Sequence, residues 1–199
     1  YKGNPQKAMV AFQINVAWGN DYIPKLLKIL KDNDVRATFF LDGSWTKSNP
    51  RLAKMIADEG HEIGNHAYSH PDMKQLSKQK IYDGLKKTND IIEATVKKKP
   101  KWFAPPSGSY RQDVVLTAEN LHLKTVLWSV DTVDWKIPDP ISMANRVVEQ
   151  VHPGAMVLMP PTKSTAEGLE RMISGIERKG FKIGTVSELL SENRLHHSN

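Results

Sequence analysis

The sequence predicts an α/β fold built from repeated strand and helix units. The predicted strands are short apolar runs that are rich in β-branched and aromatic residues. Several of these runs lack polar alternation, which is typical of strands that are covered on both faces. Longer segments with apolar residues at helical spacing separate the runs, and this alternation favours a parallel sheet with helices packed around it.

Strands and helices alternate along the whole chain in this prediction. The strands cover residues 8–14, 37–41, 62–64, 102–104, 125–130 and 155–159, with a short last strand near Lys182. The helices cover residues 22–31, 50–59, 77–96, 112–121, 140–151 and 165–178, with a terminal turn at 186–190. About seven such units favour a closed or nearly closed barrel over a flat sheet.

Local signals support the helix boundaries and the buried faces. Gly60 and Gly180 each follow a predicted helix end, where a left-handed residue is favoured. Within residues 77–96, apolar side chains recur at roughly helical spacing and predict a buried stripe: Ile81, Leu85, Ile91, Ile92 and Val96.

Composition indicates one domain with a moderately basic surface. The 199 residues carry a net charge of +6, and no Pro/Gly/Ser-rich linker divides them, so we interpret residues 1–199 as a single domain. The charge favours an anionic polymer such as a cell wall, a membrane surface or nucleic acid, although solvated lysines on helices, such as those at 97–99, are the commoner explanation. Since the sequence cues of a nucleic-acid module are missing, we expect no nucleic-acid partner.

The chain contains no cysteine, which excludes disulfides, thiolate metal sites and a cysteine nucleophile. No stretch approaches the ~18 consecutive apolar residues of a membrane span, and the start does not resemble a secretion signal. The chain begins at Tyr1 rather than Met, which is typical of an excised or mature fragment, so we expect any membrane association to occur only through an upstream segment outside this sequence. The oligomeric state stays open.

Two histidines at positions 66 and 70 are the first candidate site. Imidazoles at this spacing can project to one side of a helical turn and hold a divalent metal. A hydrolytic zinc site normally takes three protein ligands and a water whose pKa falls to roughly 7, so the pair alone is one ligand short. Such pairs also occur in loops where the rings cap backbone groups or face solvent. Residues 63–65 before the pair and Pro71 after it predict a buried strand that ends in a tight loop. In α/β folds the functional residues lie in such loops after the strands.

The segments that follow the predicted strands are expected to gather at one mouth of the sheet. They are residues 15–19, 66–70, 105–110, 131–135 and 160–162. Their order and spacing, and above all the runs 60–66 and 128–135, resemble the polysaccharide deacetylase family, the NodB-homology fold of carbohydrate esterase family 4. The resemblance covers nearly the whole chain.

This resemblance implies a distorted (β/α)7-type barrel in which an aspartate and two histidines hold a metal, usually zinc, for the hydrolysis of N-acetyl groups. The first motif of the family carries two adjacent aspartates, a general base followed by a metal ligand. The corresponding positions here are Asn15 and Val16. An amide cannot take up a proton as a carboxylate does, and an isopropyl group cannot bind a metal. We therefore expect His66 and His70 to form a weak or vestigial metal site that holds zinc or another divalent metal weakly, or none.

Two further motif positions also depart from the family. The arginine that pairs with the catalytic carboxylate corresponds to Ala104, and the general-acid histidine corresponds to Pro160. The loss of a cation is consistent with the loss of its anion. The resemblance implies that Asp134 is the remaining carboxylate that tunes the general-acid histidine in the family. Because that histidine is missing here, Asp134 needs another partner, exposure to solvent or a raised pKa. Asp21 is a substitute carboxylate if the first motif is shifted, but it also suits the N-cap of the following helix.

A substrate groove is expected around the mouth, since aromatic faces there can stack on sugar rings. The residues assigned to it are Trp18, Pro105, Gly108, Tyr110, Asp131 and Trp135. The alternative for Trp135 is that it fills core, as large aromatic side chains usually do.

The sequence thus predicts a deacetylase-like protein that acts on or binds N-acetylglucosamine polymers, such as peptidoglycan or a chitin-like glycan, at the cell wall or outside the cell. No catalytic residue is intact, and each lost acid or base group typically costs about 10² to 10⁴ in rate, so we expect activity to be lost or severely impaired. Two alternatives remain: an active metal-dependent N-deacetylase that uses substitute residues, and a structural or regulatory protein with no sugar affinity.

Overall fold

The fold is a parallel half-barrel surrounded by helices. In this computed structural model of the protein, the described residues are 8–108, 110–133, 136 and 139–195, with side chains described up to residue 190. The strands are β1 (Met9–Val16), β2 (Thr38–Leu41), β3 (Glu62–Asn65), β4 (Trp102–Phe103), β5 (Lys124–Thr125), β6 (Val130–Asp131), β7 (Met156–Met159) and β8 (Lys182–Gly184). The predicted α/β barrel-like fold is confirmed.

Every strand pairing is parallel. The strand order is β5-β4-β3-β2-β1-β7-β6, and β8 pairs with the first residues of β1. The C-terminal ends of the strands therefore face one side of the sheet, as the sequence predicts.

The single strand predicted at 125–130 is wrong. The run forms two short strands with different partners: β5 pairs with β4, and β6 pairs with β7. Between them the chain leaves the sheet, and the N–H of Ser129 donates to the carbonyl of Met156. An apolar run can pass from one sheet edge to the other without being one strand, because hydrophobicity reports burial and not pairing. Among the described residues no pairing joins β5 to β6, so the sheet is open there rather than closed.

The helices agree with the predicted ones to within a few residues, with one addition. They are α1 (Ile23–Asp32), α2 (Gly43–Ser48), α3 (Pro50–Asp58), α4 (Lys78–Val96), α5 (Gln112–Asn120), α6 (Pro140–Gln150), α7 (Lys163–Arg178) and α8 (Val186–Leu195). Helix α2 is not predicted from the sequence, because its six residues are too few to show a helical repeat of apolar side chains. The side chain of Asp42 caps its start by accepting a hydrogen bond from the N–H of Trp45.

The helix boundaries test two further predictions. Gly60 and Gly180 both have φ of +89°, so the left-handed helix ends are confirmed. The capping role suggested for Asp21 is wrong, because α1 begins at Ile23 and its N-cap is Tyr22, which makes no side-chain cap bond.

The main core lies between the sheet and the outer helices. Phe12, Ile14 and Val16 of β1 belong to this core together with apolar side chains of α1, α6 and α7. Gln13 and Asn15 alternate with them and lie on the opposite face of β1. A helix long and apolar enough to cross a bilayer is absent from the part of the chain that the structure describes.

His61 is a buried histidine just before β3, at the end of the sheet away from the mouth. Its Nδ1 accepts a hydrogen bond from the N–H of Ala37 at 3.0 Å, and its ring meets the ring of Phe39 edge-on at 5.1 Å. Burial, followed by the nearby positive charge of Arg36, lowers the pKa of His61 to about 4. His61 is therefore a neutral core residue at physiological pH.

Candidate active site

A cavity of about 450 Å³ lies at the C-terminal mouth of the strands. The segments after β1, β3, β4 and β7 form its wall with the chain around β6, so the predicted gathering of these loops is seen. The lining residues are Asn15, Ala17, Trp18, His66, His70, Ser107, Trp128, Asp131, Leu158, Met159 and Pro160.

The two histidines of the candidate metal site lie side by side in this wall. Their ring centroids are 5.3 Å apart, and the ring planes are inclined by 71°. The expected helical turn is wrong, however, because Ala67, Ser69 and His70 have φ of +63°, +59° and +49°. A right-handed helical turn requires negative φ, so a left-handed loop brings the rings together.

Asp42 holds this loop in place. Its Oδ2 accepts a hydrogen bond from the N–H of His70 at 2.7 Å, and the neighbouring N–H of Gly43 donates to the carbonyl of Ala67 at 2.8 Å. The carboxylate of Asp42 is only 1% exposed. The end of β2 thus fixes the backbone that carries both histidines, which explains why an unfavourable run of positive φ persists.

His66 is held in one tautomer. Its ring is 2% exposed, and its Nδ1 lies 2.8 Å from the carbonyl oxygen of Ala104. Because a carbonyl oxygen only accepts, Nδ1 carries the proton and Nε2 keeps its lone pair in the neutral ring. Burial lowers the pKa of His66 to about 4, so the neutral form prevails near pH 7. A neutral imidazole with one free nitrogen is the form that binds metals.

The donor set does not fit a three-ligand zinc site. Within the described ranges, no group of three or more His, Cys, Asp or Glu residues could hold a metal ion. The carboxylate of Asp42 contacts His70, but it caps the start of α2. Its oxygens already accept hydrogen bonds from the Trp45 N–H, the Ser44 hydroxyl and the His70 N–H. Among the described residues, the two imidazoles therefore have no carboxylate beside them that would complete a hydrolytic site.

The two first-motif positions have different surroundings. Asn15 is half-buried and lines the cavity, and its Oδ1 accepts a hydrogen bond from the Gln13 side chain at 3.2 Å. Val16 is 0% exposed and packs in the main core instead. Strand alternation explains the difference, since neighbouring side chains point to opposite faces. The next residue, Ala17, lies on the cavity wall again.

The other two degenerate positions, 104 and 160, carry apolar side chains. Ala104 is buried in a small cluster with Phe40, Trp102 and Val126, and its carbonyl receives the His66 bond described above. Pro160 is half-buried and lines the cavity. Neither side chain offers a proton donor or acceptor to the cavity.

The residues predicted for a groove are only partly brought together. Trp18, 55% exposed, and the half-buried Asp131 line the cavity. Gly108 is not on the wall itself but packs against one of its residues, since a Cβ added at Gly108, where φ is +67°, would lie 2.5 Å from the Trp128 ring. Pro105 is buried and Tyr110 is exposed, and the structure brings neither to the cavity wall. Asp134 and Trp135, also predicted for the site, lie outside the described residues.

Three residues of the site are not predicted from the sequence as site residues. Trp128 lies inside the strand predicted at 125–130, which is two separate strands, and Ser107 lies in the segment 105–110 without a predicted role. Asp42 follows β2 directly, so the rule that singled out residues after the other strands would have found it.

Comparison with known proteins places this geometry in a family. The family model for polysaccharide deacetylase matches residues 2–126. A relative from Bacillus subtilis, called uncharacterized protein YlxY, is 55% identical over 195 residues, which cover 98% of this chain and 61% of that protein. The peptidoglycan-N-acetylmuramic acid deacetylase PdaA of Bacillus subtilis is 32% identical over 200 residues, which cover 98% of this chain and 76% of PdaA.

A solved structure resembles the fold closely. It is BA3943 from Bacillus anthracis, described as a CE4 family pseudoenzyme, with a TM-score of 0.93 and 54% sequence identity. The match covers 96% of this chain and 68% of that one. The family model spans more than half of the sequence, and the fold and the motif order agree with it: this chain belongs to the polysaccharide deacetylase family.

Proposed function

We propose that this chain binds N-acetylated cell-wall glycan through a deacetylase groove whose hydrolytic activity is lost or severely impaired. One observation carries the proposal. The mouth cavity keeps His66, His70, Asp131 and an exposed Trp18, yet it presents the amide of Asn15 where the reaction needs a base.

The catalytic deficit follows from the side chains that line the cavity. Amide hydrolysis needs a group that takes a proton from water and a group that returns one to the leaving amine. Asn15 cannot do the first, and Pro160 cannot do the second. Each group is typically worth about 10² to 10⁴ in rate, and the losses are not additive, so a deficit of several orders of magnitude is expected.

The capacity to bind a sugar rests on different features. An exposed indole offers an apolar face, while Ser107 and Asp131 offer polar groups to hydroxyls. A concave site with an aromatic wall and a few polar groups is the usual form of a small-ligand site. PdaA, by its name, acts on peptidoglycan, which supports a cell-wall glycan as the ligand here and a location at the cell wall or outside the cell.

Two measurements on the unmodified chain test the proposal. Titration with N-acetylglucosamine oligomers should give saturable binding, and a flat titration at millimolar ligand would eliminate the binding claim. Acetate release from the same oligomers, with the metal content determined in parallel, should stay at background. Stoichiometric zinc together with turnover would overturn the claim of lost catalysis.

A second candidate is an active metal-dependent N-deacetylase that uses substitute residues. The tautomer of His66, whose Nε2 keeps its lone pair, and the His70 ring at 5.3 Å favour this candidate. Metal-binding histidines typically donate one ring N–H to a carbonyl or carboxylate and bind the metal through the other nitrogen. This candidate requires that the unmodified chain releases acetate in a metal-dependent reaction and that His66→Ala abolishes this release. The first proposal requires background acetate release from both the unmodified chain and the His66→Ala variant.

A further inference from the structure

Gln13 is a buried polar side chain on β1, one layer deeper than the mouth cavity. It is 0% exposed, and its Nε2 donates a hydrogen bond to Oδ1 of Asn15 at 3.2 Å. The two residues lie two positions apart on the strand, so their side chains share one face. Asn15 lines the cavity itself. Gln13 therefore supports the Asn15 amide from inside the half-barrel.

The side chains aligned with Gln13 across the sheet leave its carbonyl oxygen unpaired. Gln13 is aligned with Thr38 of β2 and with Leu158 of β7. The Thr38 hydroxyl already donates its proton to Glu62 at 3.2 Å, and Leu158 is apolar. Within the described part of the chain, Oε1 of Gln13 has no hydrogen-bond partner. The Asn15 amide is thus the group that holds the Gln13 side chain.

The direction of the Gln13–Asn15 hydrogen bond follows from that unpaired oxygen. If both amides were reversed, Asn15 would donate to Gln13, and the Gln13 NH2 group would lie where Oε1 now lies without a partner. The reversal would bury two unpaired donors in place of one unpaired acceptor oxygen. Buried N–H groups without an acceptor are rarer than underused carbonyl oxygens. Gln13 is therefore the donor and Asn15 the acceptor.

This direction decides which end of the Asn15 amide faces the cavity. The oxygen and the nitrogen of an amide lie on opposite sides of its carbon, so turning Oδ1 towards Gln13 turns the NH2 group towards the cavity. An amide NH2 group only donates, whereas a carboxylate only accepts. The described lining contains no Lys or Arg, and the carboxylate of Asp131 belongs to it. A neutral acceptor oxygen is therefore a better ligand group here than an anion.

We infer that Gln13 is a positioning residue that turns the Asn15 NH2 group into the mouth cavity, and that this donor selects a neutral carbonyl oxygen, such as that of an intact N-acetyl group, over an amine. The inference rests on the proposed glycan binding and deepens it. Gln13 does not touch the ligand and acts through Asn15. The cavity thus distinguishes acetylated from deacetylated sugar without hydrolysing either.

Hydrogen exchange of side-chain amides in the unliganded protein tests the orientation. In NMR spectra, the Asn15 NH2 protons should exchange with water about as fast as those of Gln79, which is exposed on α4. The Gln13 protons should exchange at least about tenfold more slowly, because they are buried and one of them is hydrogen-bonded. Asn15 protons that exchange as slowly as those of Gln13 would show that Asn15 is the donor. That result would overturn the inference whether or not the protein binds sugar.

Paired titrations test the selectivity on the full chain. The ligands are the trimers of N-acetylglucosamine and of glucosamine, each titrated calorimetrically. The unmodified chain should prefer the acetylated trimer. Gln13→Met keeps the length of the side chain but cannot donate, so it should lose about three- to tenfold of this preference, the value of one hydrogen bond. An unchanged preference in this variant would refute the inference and leave the proposed function intact.

Gln79→Met is the matched control. It makes the same substitution at an exposed amide, which donates to Asp83 at 2.8 Å, and should change neither affinity. Thermal unfolding checks that both variants fold. Because Gln13→Met also removes the unpaired Oε1, we expect no large loss of stability.

Two further outcomes separate the inference from the proposed function. Equal affinity of the unmodified chain for both trimers would refute the selectivity but not the glycan binding. No binding of either trimer would refute the proposed function and the selectivity together, while the exchange rates of the Asn15 protons would still decide the orientation.

Discussion

The Nδ1–H of His66 donates to the main-chain carbonyl of Ala104 at 2.8 Å. Because the acceptor belongs to the backbone, the side chain at position 104 does not decide the orientation of the histidine. The family resemblance places an arginine at this position, and its replacement by alanine removes a charge without releasing the ring. The geometry of the histidine pair is therefore independent of the side chain at position 104.

Restoring the family residues should restore part of the chemistry. The combined variant Asn15→Asp, Val16→Asp, Ala104→Arg and Pro160→His supplies a base, a carboxylate at the metal-ligand position of the family, the cation that pairs with the base, and an acid. The carboxylate at position 16 reaches the histidine pair only if the end of β1 turns it away from the main core, where Val16 packs. We expect metal binding and measurable acetate release where the parent chain gives background. Omitting Pro160→His is the matched control and should keep the metal while losing most of the rate. Absence of metal binding in the combined variant would contradict the assigned positions.

Val16→Asp alone should be destabilising, because Val16 is 0% exposed within the main core. An unpaired buried carboxylate typically costs several kcal/mol, of which about 2 kcal/mol or more should appear as lowered unfolding free energy. Zinc should recover part of the loss, since a ligand that binds only the folded state stabilises it.

Val16→Asn is the control for this experiment, because it is equally polar but a poor zinc ligand. Thermal unfolding with and without zinc should show a rise for the aspartate variant only. An identical response of both variants to zinc would mean that residue 16 does not reach the histidine pair.

Acid should destabilise the protein through His61. Its pKa of about 4 in the folded state lies below the ordinary 6.5, so the folded protein binds fewer protons than the unfolded chain between these values. The stability is complete above about pH 6.5 and declines as the pH falls towards 4, by up to roughly 3 kcal/mol for this group. Urea unfolding at several pH values measures the decline.

His61→Asn isolates that contribution. Asparagine retains an acceptor for the Ala37 N–H but does not titrate, so the variant should lose part of the slope between pH 6.5 and 4. The remaining slope should include His66, whose pKa is lowered to about 4 by burial. An unchanged slope in the variant would exclude His61 as a source of acid sensitivity.

Gly108→Ala should disturb the floor of the mouth cavity. The added Cβ would lie 2.5 Å from the Trp128 ring, at a position where φ is +67°. We expect a loss of about 1–3 kcal/mol in unfolding free energy, together with weaker glycan binding.

Gly60→Ala is the matched control for the glycine at 108. Its φ is +89°, but the nearest atom to an added Cβ is the flexible Arg36 side chain at 3.4 Å. This variant should incur only the backbone strain, of about 1 kcal/mol, with unchanged glycan affinity. Equal effects of the two substitutions on binding would show that Trp128 does not shape the cavity.

The sequence was informative wherever a local pattern determines the structure. Apolar runs identified most strands, and the motif after β3 identified both histidines of the mouth. The direction of side chains was harder to predict. Asn15 and Val16 are adjacent in sequence and were expected at one site, but alternation along the strand places Asn15 on the cavity wall and Val16 in the core. The left-handed loop at 67–70 depends on Asp42, a contact between distant segments that no local pattern reports.

The missing pairing between β5 and β6 allows the distance between these two strands to vary at the mouth of the sheet. Trp128 stands in the chain that crosses this edge, and Gly108 is its support. Since no described backbone ladder joins the two strands, a small change in their separation breaks no sheet hydrogen bond. A different side chain at this edge can therefore change the shape of the cavity while the paired strands β1, β2 and β3 beside Asn15 and His66 stay in register.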